Sequence, residues 1–161
     1  MQKLEPTLRT AVEDDSPAIR KLIFGILREY GLSPDPAETD SDLFDLETHY
    51  RVGWFCVMNQ GATIIGTVAL LPMEDDTWEL RKMYLHTNWR GRGYGLILLD
   101  QAIAKARVLG ARRLILSTAS VLKEAIKLYK SRGFTPSSET PVADRCDQVW
   151  ELDLQQSQTS N

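Results

Sequence analysis

Residues 88–99 read NWRGRGYGLILL, in which three glycines fall within five positions and an apolar run follows at once. Glycine inside a regular element costs roughly 0.5–1 kcal/mol relative to alanine, because folding removes its extra backbone freedom. A glycine-rich turn that opens a helix is typical of an anion site, since the first N–H groups of a helix lack intrahelical partners. The glycines let a ligand approach that backbone closely, and Arg90 and Arg92 add positive charge. Phosphate is the ligand that fits this pattern.

The spacing excludes two familiar phosphate-binding loops. A P-loop needs a lysine directly after its last glycine, and none follows here. A dinucleotide-binding fingerprint needs its third glycine at position 96, where this chain has leucine. The glycines alone therefore leave the ligand undetermined.

Composition and length indicate an ordinary globular protein. The chain has 161 residues, of which 43% are hydrophobic and 25% are charged. We expect one domain over 1–154, followed by a polar C-terminal tail over 155–161. No apolar run approaches the roughly 18 residues that span a bilayer, and the N-terminus lacks the apolar region of a signal peptide. These features predict a cytoplasmic protein that does not act at a membrane.

Cysteine and histidine usage argues against a disulfide framework or a metal site. Cys56 and Cys146 are the only cysteines, and neither has metal-ligand spacing. His49 and His86 are the only histidines. We therefore expect no bound metal.

The net charge of −3 conceals a strong asymmetry along the chain. Residues 81–132 hold twelve basic and two acidic residues, and the remainder is correspondingly acidic. This distribution favours an anionic ligand in the basic half, although basic residues on solvated helix faces are the alternative. Nucleic acid is not expected as a partner, because the basic half lacks the interleaved surface aromatics of single-strand binders and a recognisable DNA-binding motif.

Hydrophobic periodicity and turn residues predict the element order β-α-α-β-β-β-α-β-α-β, with an extra short strand near Phe134. The predicted strands lie at 8–12, 52–58, 62–71, 78–85, 112–118 and 145–154, and the predicted helices at 16–31, 43–50, 95–109 and 120–131. Ser16 is the expected N-cap and Gly31 the expected stop of the first helix, and Ser120 is the expected N-cap of the last helix. In the strand predicted at 78–85, successive side chains should alternate between the two faces of the sheet. Alternation places Trp78, Leu80, Lys82 and Tyr84 on one face, and Glu79, Arg81, Met83 and Leu85 on the other.

The glycine stretch and its surroundings resemble one known family. Arg90-Gly91-Arg92-Gly93-Tyr94-Gly95 fits [Q/R]-x-x-G-x-[G/A], the pyrophosphate-binding signature of the GNAT superfamily of acyl-CoA-dependent N-acetyltransferases. Residues 79–95 look like that family's fourth strand and third helix. Residues 115–134, ILSTASVLKEAIKLYKSRGF, look like its fifth strand and fourth helix. The resemblance implies an α/β (α+β), single-domain, GNAT-like fold: a mixed, mostly antiparallel sheet with a splayed parallel pair and helices on both faces.

The resemblance implies an N-acetyltransferase that moves an acetyl group from acetyl-CoA to a primary amine by direct attack in a ternary complex. A catalytically weak CoA-binding sensor or regulatory module is the alternative. Acetyl-CoA would be the co-substrate, with its pyrophosphate on the amides of residues 91–96. The implied cofactor-binding residues are Met83, Tyr84, Leu85, Arg90, Gly91, Arg92, Gly93, Tyr94, Gly95 and Leu96.

Two residues match the family's catalytic positions. Glu79 lies eleven residues before Arg90, where many members carry a general-base glutamate, although a pairing with Arg81 on the same strand face is the alternative. Tyr129 matches the tyrosine that serves as general acid towards the CoA sulfur, although its helical spacing also suits a packed aromatic. Leu122 departs from the family, since many members have asparagine there; Thr118 and Ser120 are candidate substitutes.

The amine acceptor is the least determined part. Residues 31–50 contain no lysine or arginine and six acidic residues: Asp35, Glu38, Asp40, Asp42, Asp45 and Glu47. Such a segment would form either an acidic rim that attracts a cationic amine or a merely solvated loop. The acceptor is either a small molecule or a peptide amine. The oligomeric state is either a monomer or a homodimer.

Overall fold

The computed structural model describes residues 5–141 and 143–155. The predicted tail therefore lies outside the described residues, apart from Gln155. Within the described part, the chain forms four helices, α1 (Ser16–Glu29), α2 (Leu46–His49), α3 (Tyr94–Val108) and α4 (Lys123–Ser131), and seven strands, β1 (Thr7–Thr10), β2 (Trp54–Gln60), β3 (Thr63–Pro72), β4 (Thr77–Leu85), β5 (Arg113–Thr118), β6 (Thr135–Pro136) and β7 (Gln148–Asp153).

The seven strands form one sheet in the order β1-β2-β3-β4-β5-β7-β6. Every neighbouring pair is antiparallel except β4 and β5, which run parallel because α3 crosses between them. The predicted mixed, mostly antiparallel sheet with a single parallel pair is confirmed. The short strand predicted near Phe134 is β6.

Two hydrophobic clusters cover opposite faces of the sheet, so the expectation of helices on both faces is also confirmed. On one face α1 buries Ile19, Ile23 and Leu27 completely. On the other face α3 buries Leu98 and Leu99, and α4 adds its own apolar side. Full burial of such a side chain contributes about 1.5–3 kcal/mol, so both helices are held mainly by tertiary packing.

The parallel pair separates partway along its length. β4 pairs with β5 only from Thr77 to Glu79, opposite Arg113 to Ile115. Beyond that point β4 continues along β3 to Leu85, and β5 continues along β7 to Thr118. The carboxyl halves of β4 and β5 therefore have no ladder between them, which leaves an opening in the middle of the sheet.

A β-bulge changes which side chains of β4 share a face. Lys82 has φ +52°, and the register between β3 and β4 shifts between Thr67 and Ala69. The Thr67 hydroxyl donates a 2.6 Å hydrogen bond to the Lys82 carbonyl, which satisfies that group inside the bulge. Because one extra residue reverses the alternation, Tyr84 packs on the α1 side and Met83 on the α3 side.

The alternation predicted for β4 is therefore wrong beyond the bulge. It placed Lys82 and Tyr84 with Leu80, whereas Lys82 reaches the loop that follows α1, where its ammonium contacts Thr39 and Asp40. The bulge thus brings consecutive cations, Arg81 and Lys82, to the same region of the molecule.

The start of α4 also differs from the sequence-based prediction. Ser120 was expected to cap this helix, but the helix begins at Lys123 with Leu122 at the N-cap. The Ser120 hydroxyl instead donates to Asp147, at 2.7 Å, and the backbone N–H of Ser120 donates to the same carboxylate. The Asp147 carboxylate therefore binds Ser120 away from the helix, and among the described residues no side chain caps the first turn of α4.

Candidate active site

Two cavities meet at the opening between β4 and β5. The first, of about 320 Å³, is lined by Glu79 and Tyr129 and is called the Glu79 cavity here. The second, of about 290 Å³, is lined by Gly91 and Gly93 and is called the glycine cavity. Their linings share four residues, Met83, Tyr84, Leu122 and Ala125. A single elongated ligand can therefore extend from one cavity into the other.

The glycine cavity ends at an uncapped helix N-terminus. Gly91 has φ +76° and Gly93 has φ +89°, values that L side chains adopt only with strain. Gly93 is the N-cap of α3 and has no side chain to bond the first amides of the helix. Those amides and the positive end of the helix dipole lie beside the cavity that Gly93, Gly95 and Leu96 line. The arrangement suits an anion.

Gly95 serves a different purpose from the two preceding glycines. A Cβ at this position would lie 2.7 Å from Cδ1 of Leu128, so any other residue would displace the Leu128 side chain from its present position. Since Leu128 also lines the glycine cavity, the same contact shapes its wall.

The structure brings together eight of the ten predicted cofactor-binding residues. The eight that line the glycine cavity are Met83, Tyr84, Leu85, Arg90, Gly91, Gly93, Gly95 and Leu96. Arg92 and Tyr94 are not among its lining. The Arg92 guanidinium lies 5.1 Å from the Trp89 ring, and the Tyr94 hydroxyl bonds Glu5 at 3.3 Å.

Arg90 lines the glycine cavity and also holds the glycine turn in place through hydrogen bonds. Its Nε donates to the Leu85 carbonyl at 2.9 Å. Its Nη1 donates to Glu29 at 2.8 Å and to the Tyr30 hydroxyl at 2.9 Å. These bonds tie the glycine turn to the end of β4 and to the C-terminal end of α1.

Glu79 faces its cavity from the last paired position of β4, before the strands separate. Its side chain is 18% exposed, and Oε1 lies 3.4 Å from Nη1 of Arg81. The ion pair between Glu79 and Arg81 that the sequence suggested is therefore present, although its distance is long. Glu79 remains accessible from the cavity.

Tyr129 combines packing with an available hydroxyl. Its ring is buried and lies 5.6 Å from the Phe134 ring. Burial raises the pKa of Tyr129 well above its usual value, so the phenol keeps its proton at neutral pH. Among the described residues, no hydrogen-bond partner is found for this hydroxyl, and Tyr129 is one of the residues that line the Glu79 cavity. It is therefore placed to donate to a ligand there.

A buried ion cluster supports the wall of the Glu79 cavity. Asp40 is completely buried; Arg145 donates to it twice, at 2.7 and 2.8 Å, and Lys82 donates to it at 2.7 Å. Burial alone would raise the pKa of Asp40, but the Arg145 hydrogen bonds and the Lys82 charge outweigh it and hold that pKa well below its ordinary value. The cluster joins the segment after α1, the bulge in β4 and the loop before β7.

Asp42 belongs to a second buried group next to the first. It is 3% exposed, accepts a 2.5 Å hydrogen bond from the Tyr50 hydroxyl, and lies 3.5 Å from a guanidinium nitrogen of Arg81. Burial raises the pKa of Tyr50 well above its usual value, and the Asp42 charge adds to the effect. Tyr50 is therefore a proton donor that holds Asp42 in place.

These groups correct the prediction of an acidic rim or solvated loop over residues 31–50. Asp40 and Asp42 are neither rim nor solvated, because cations from distant parts of the chain pair with them. Asp35 accepts hydrogen bonds from the amides of Glu38 and Thr39 in its own loop. Of the six acidic residues, only Glu38 lines the Glu79 cavity.

Lys82 and Arg145 were missed as site residues by the sequence analysis. The only local signal was the absence of basic residues from 31–50, which required partners from elsewhere. Thr118, one candidate substitute for the family's asparagine, lines the Glu79 cavity, whereas Ser120 is engaged by Asp147. Leu122 lies where the two cavities meet.

Neither cysteine is activated as a nucleophile. Burial raises the pKa of Cys56 to about 11 and also raises the pKa of Cys146, so both thiols are protonated at neutral pH. Over residues 5–141 and 143–155, no group of three or more His, Cys, Asp or Glu side chains is placed to hold a metal ion. In the same residues, none of the helices has the length and apolarity to cross a bilayer.

The sequence was compared with known protein families and with individual proteins. Residues 20–134 match the acetyltransferase (GNAT) family. The chain is 34% identical over 137 residues to the uncharacterized N-acetyltransferase YjgM of Escherichia coli K12, which covers 80% of this chain and 81% of that protein.

Solved structures show the same fold at low sequence identity. The crystal structure of a GNAT-family acetyltransferase from Staphylococcus aureus Mu50 has a TM-score of 0.85 at 21% identity, covering 93% of this chain and 99% of that one. The structure of yncA, a putative acetyltransferase from Salmonella typhimurium with its cofactor acetyl-CoA, has a TM-score of 0.69 at 21% identity. The match covers 93% of this chain and 94% of that one.

Proposed function

Because this chain belongs to the acetyltransferase (GNAT) family, we propose that it is an N-acetyltransferase that transfers the acetyl group of acetyl-CoA directly to a primary amine, with both substrates bound together. The observation that carries the proposal is the junction of the two cavities at Met83, Tyr84, Leu122 and Ala125. It connects the anion-binding helix terminus with the cavity that holds Glu79 and Tyr129.

The residues around the glycine cavity fit acetyl-CoA. The uncapped amides at the start of α3 would hold its pyrophosphate, and a side chain at Gly91 or Gly93 would impose strain on the turn that presents them. The free edge of β4 from Met83 to Leu85 would hold the pantetheine arm through backbone groups. When bound, acetyl-CoA supplies the activated acetyl group.

Glu79 and Tyr129 have complementary roles in this proposal. The acceptor amine must lose a proton before it attacks, and Glu79 accepts that proton directly or through a water. The new C–N bond forms as the C–S bond of the thioester breaks. Tyr129 donates its hydroxyl proton to the departing sulfur, and solvent restores it. No covalent bond to the protein is needed, which agrees with the protonated state of both cysteines.

Replacing Glu79 by glutamine should lower kcat by about 10²–10⁴-fold, because the amide cannot accept the amine's proton. The measurement is steady-state release of CoA at saturating acetyl-CoA, with the Kd for acetyl-CoA measured by calorimetry on the same sample. Glu74→Gln, in the exposed turn between β3 and β4, is the matched control and should retain full activity. An unchanged kcat in Glu79→Gln would remove this residue from the proton pathway.

Replacing Tyr129 by phenylalanine should reduce kcat by about 10²-fold while the protein folds normally. The ring stays packed and the hydroxyl has no partner among the described residues, so we expect the free energy of unfolding to change by less than about 1 kcal/mol. Turnover and chemical denaturation of the same preparation test both statements. A loss of stability that parallels the loss of rate would show that Tyr129 acts through packing alone.

A further inference from the structure

The wall of the Glu79 cavity presents cations, while most of their anionic partners lie behind them. Arg81, Lys82 and Arg145 all line this cavity. Asp40 and Asp42, which pair with them, are 0% and 3% exposed and are not part of the lining. A ligand in the cavity therefore meets guanidinium and ammonium groups before it meets these two carboxylates.

Arg81 is the cation with the most capacity for a further partner. Lys82 and Arg145 are committed to Asp40 at 2.7–2.8 Å, and their side chains are 4% and 13% exposed. Arg81 is 23% exposed, and its ion pairs with Glu79 and Asp42 are longer, at 3.4 and 3.5 Å. A guanidinium has five N–H donors in a planar fork that matches a carboxylate. The least committed donors on this wall therefore suit a carboxylate ligand.

The position of Arg81 limits how far the ligand's carboxylate is from its amine. Arg81 and Glu79 share a face of β4, and Nη1 lies 3.4 Å from Oε1. A group bound by Arg81 and an amine that faces Glu79 are then close neighbours in the same small molecule. The cavity volume of about 320 Å³ also suits a small ligand.

We propose that the acceptor is a free amino acid whose carboxylate, one or two carbons from the amine, is bound by the Arg81 guanidinium while the amine faces Glu79. This inference rests on the proposed acetyl transfer and names its acceptor class. A polyamine fits this wall poorly, because a second ammonium group beside the reacting amine would meet the Arg81 guanidinium, and like charges repel across a desolvated site. Among the described residues, Glu38 and Glu79 are the only carboxylates in the lining.

The wild-type protein tests the acceptor class without any mutation. The twenty amino acids and β-alanine are compared with their carboxamides and with the matching amines that lack the carboxyl group, by chromatographic detection of CoA and acetylated product. Rates are compared per concentration of unprotonated amine, because a carboxamide makes the neighbouring amine easier to deprotonate. We expect at least one amino acid to exceed both its carboxamide and its decarboxylated amine about tenfold or more in kcat/KM.

Variants of Arg81 test the assigned contact. Arg81→Gln should raise the KM for the preferred amino acid about 10–100-fold and leave its carboxamide nearly unaffected, since only the acid loses a charged hydrogen bond. Arg81→Lys should restore part of the preference, because it keeps the charge without the fork. Arg112→Gln, an exposed arginine before β5, is the matched control and should change neither value.

The outcomes separate this inference from the proposed function. Equal use of acids and carboxamides, an equal loss for both in Arg81→Gln, or no turnover of any panel member by a protein that binds acetyl-CoA would each overturn the amino-acid acceptor. None of these results removes acetyl transfer to another amine. If the wild-type protein fails to bind acetyl-CoA, both the function and the acceptor are wrong.

Discussion

Replacement of Gly93 by glutamate should weaken acetyl-CoA binding by at least about 100-fold, which corresponds to roughly 2.7 kcal/mol. Two effects act together. A side chain at φ +89° strains the turn that presents the first amides of α3. The new carboxylate also occupies the positive end of the helix, where the pyrophosphate is proposed to bind. Calorimetric titration of acetyl-CoA and of free CoA measures the loss.

Gly110 offers a closely matched control for this substitution. It follows the C-terminal end of the same helix, has the same φ of +89°, and, like Gly93, would place a Cβ with no atom within 4 Å. Gly110→Glu therefore carries the same backbone strain and the same change of charge at the opposite end of α3. We expect both variants to lose stability and only Gly93→Glu to lose acetyl-CoA. Equal affinities in the two variants would mean that the pyrophosphate does not bind at the glycine turn.

Replacement of Asp40 by asparagine should destabilise the fold by about 3–5 kcal/mol, because it removes the carboxylate nearest to two buried cations and leaves Lys82 only the longer contact with Asp42, at 3.5 Å. Lys82 is 4% exposed and Arg145 is 13% exposed, so neither regains full hydration when the carboxylate is lost. In a domain of this size the change corresponds to a fall in Tm of roughly 6–20 °C. Denaturant titration without acetyl-CoA measures it.

Asp45→Asn is the control from the same acidic segment. Asp45 is exposed, and its side chain makes no capping bond to α2, so the substitution should stay within about 0.5 kcal/mol of wild type. A similarly small effect for Asp40→Asn would contradict the buried cluster.

The difference in stability between wild type and Asp40→Asn should also depend on pH. Burial opposes ionisation of Asp40, yet Arg145 and Lys82 outweigh burial and lower its folded pKa below the ordinary value near 3.9. A lowered folded pKa gives stabilisation that is complete above the unfolded pKa and is lost as pH falls towards the folded value. The stability difference between wild type and Asp40→Asn should therefore be constant above about pH 5 and shrink below about pH 4. A difference that stays constant to pH 3 would exclude an ionised Asp40.

Much of the fold was predictable because its signals are local. Helix α1 begins one residue earlier than expected, with Asp15 rather than Ser16 at the N-cap, and it ends before Gly31, whose φ of +74° agrees with the predicted stop. The order of the strands and helices also agrees with the sequence-based expectation, and the single parallel pair agrees with what the family resemblance implied. The helix ends and the element order depend on residues that are neighbours in the chain, so periodicity and turn chemistry are sufficient for them.

The failures in the prediction have physical causes. Alternation in β4 was extended through Lys82, and a bulge is not visible in a strand whose residues all have ordinary strand propensity. Ser120 was assigned as a helix cap, but Asp147, 27 residues away, bonds it instead. In both cases a contact from a distant part of the chain outweighed the local preference.

The sequence by itself indicated the glycine turn as a candidate anion site, since 91–96 are consecutive residues and a glycine-rich turn before a helix is a local signal. Only the tertiary structure decided the charge of the cavity beside Glu79. Asp40 meets Lys82 across 42 positions and Arg145 across 105. No local sequence pattern predicts which of these charges pair. A carboxylate that is buried away from water is stable only when cations pair with it, and the tertiary packing together with the bulge in β4 places those cations beside Asp40.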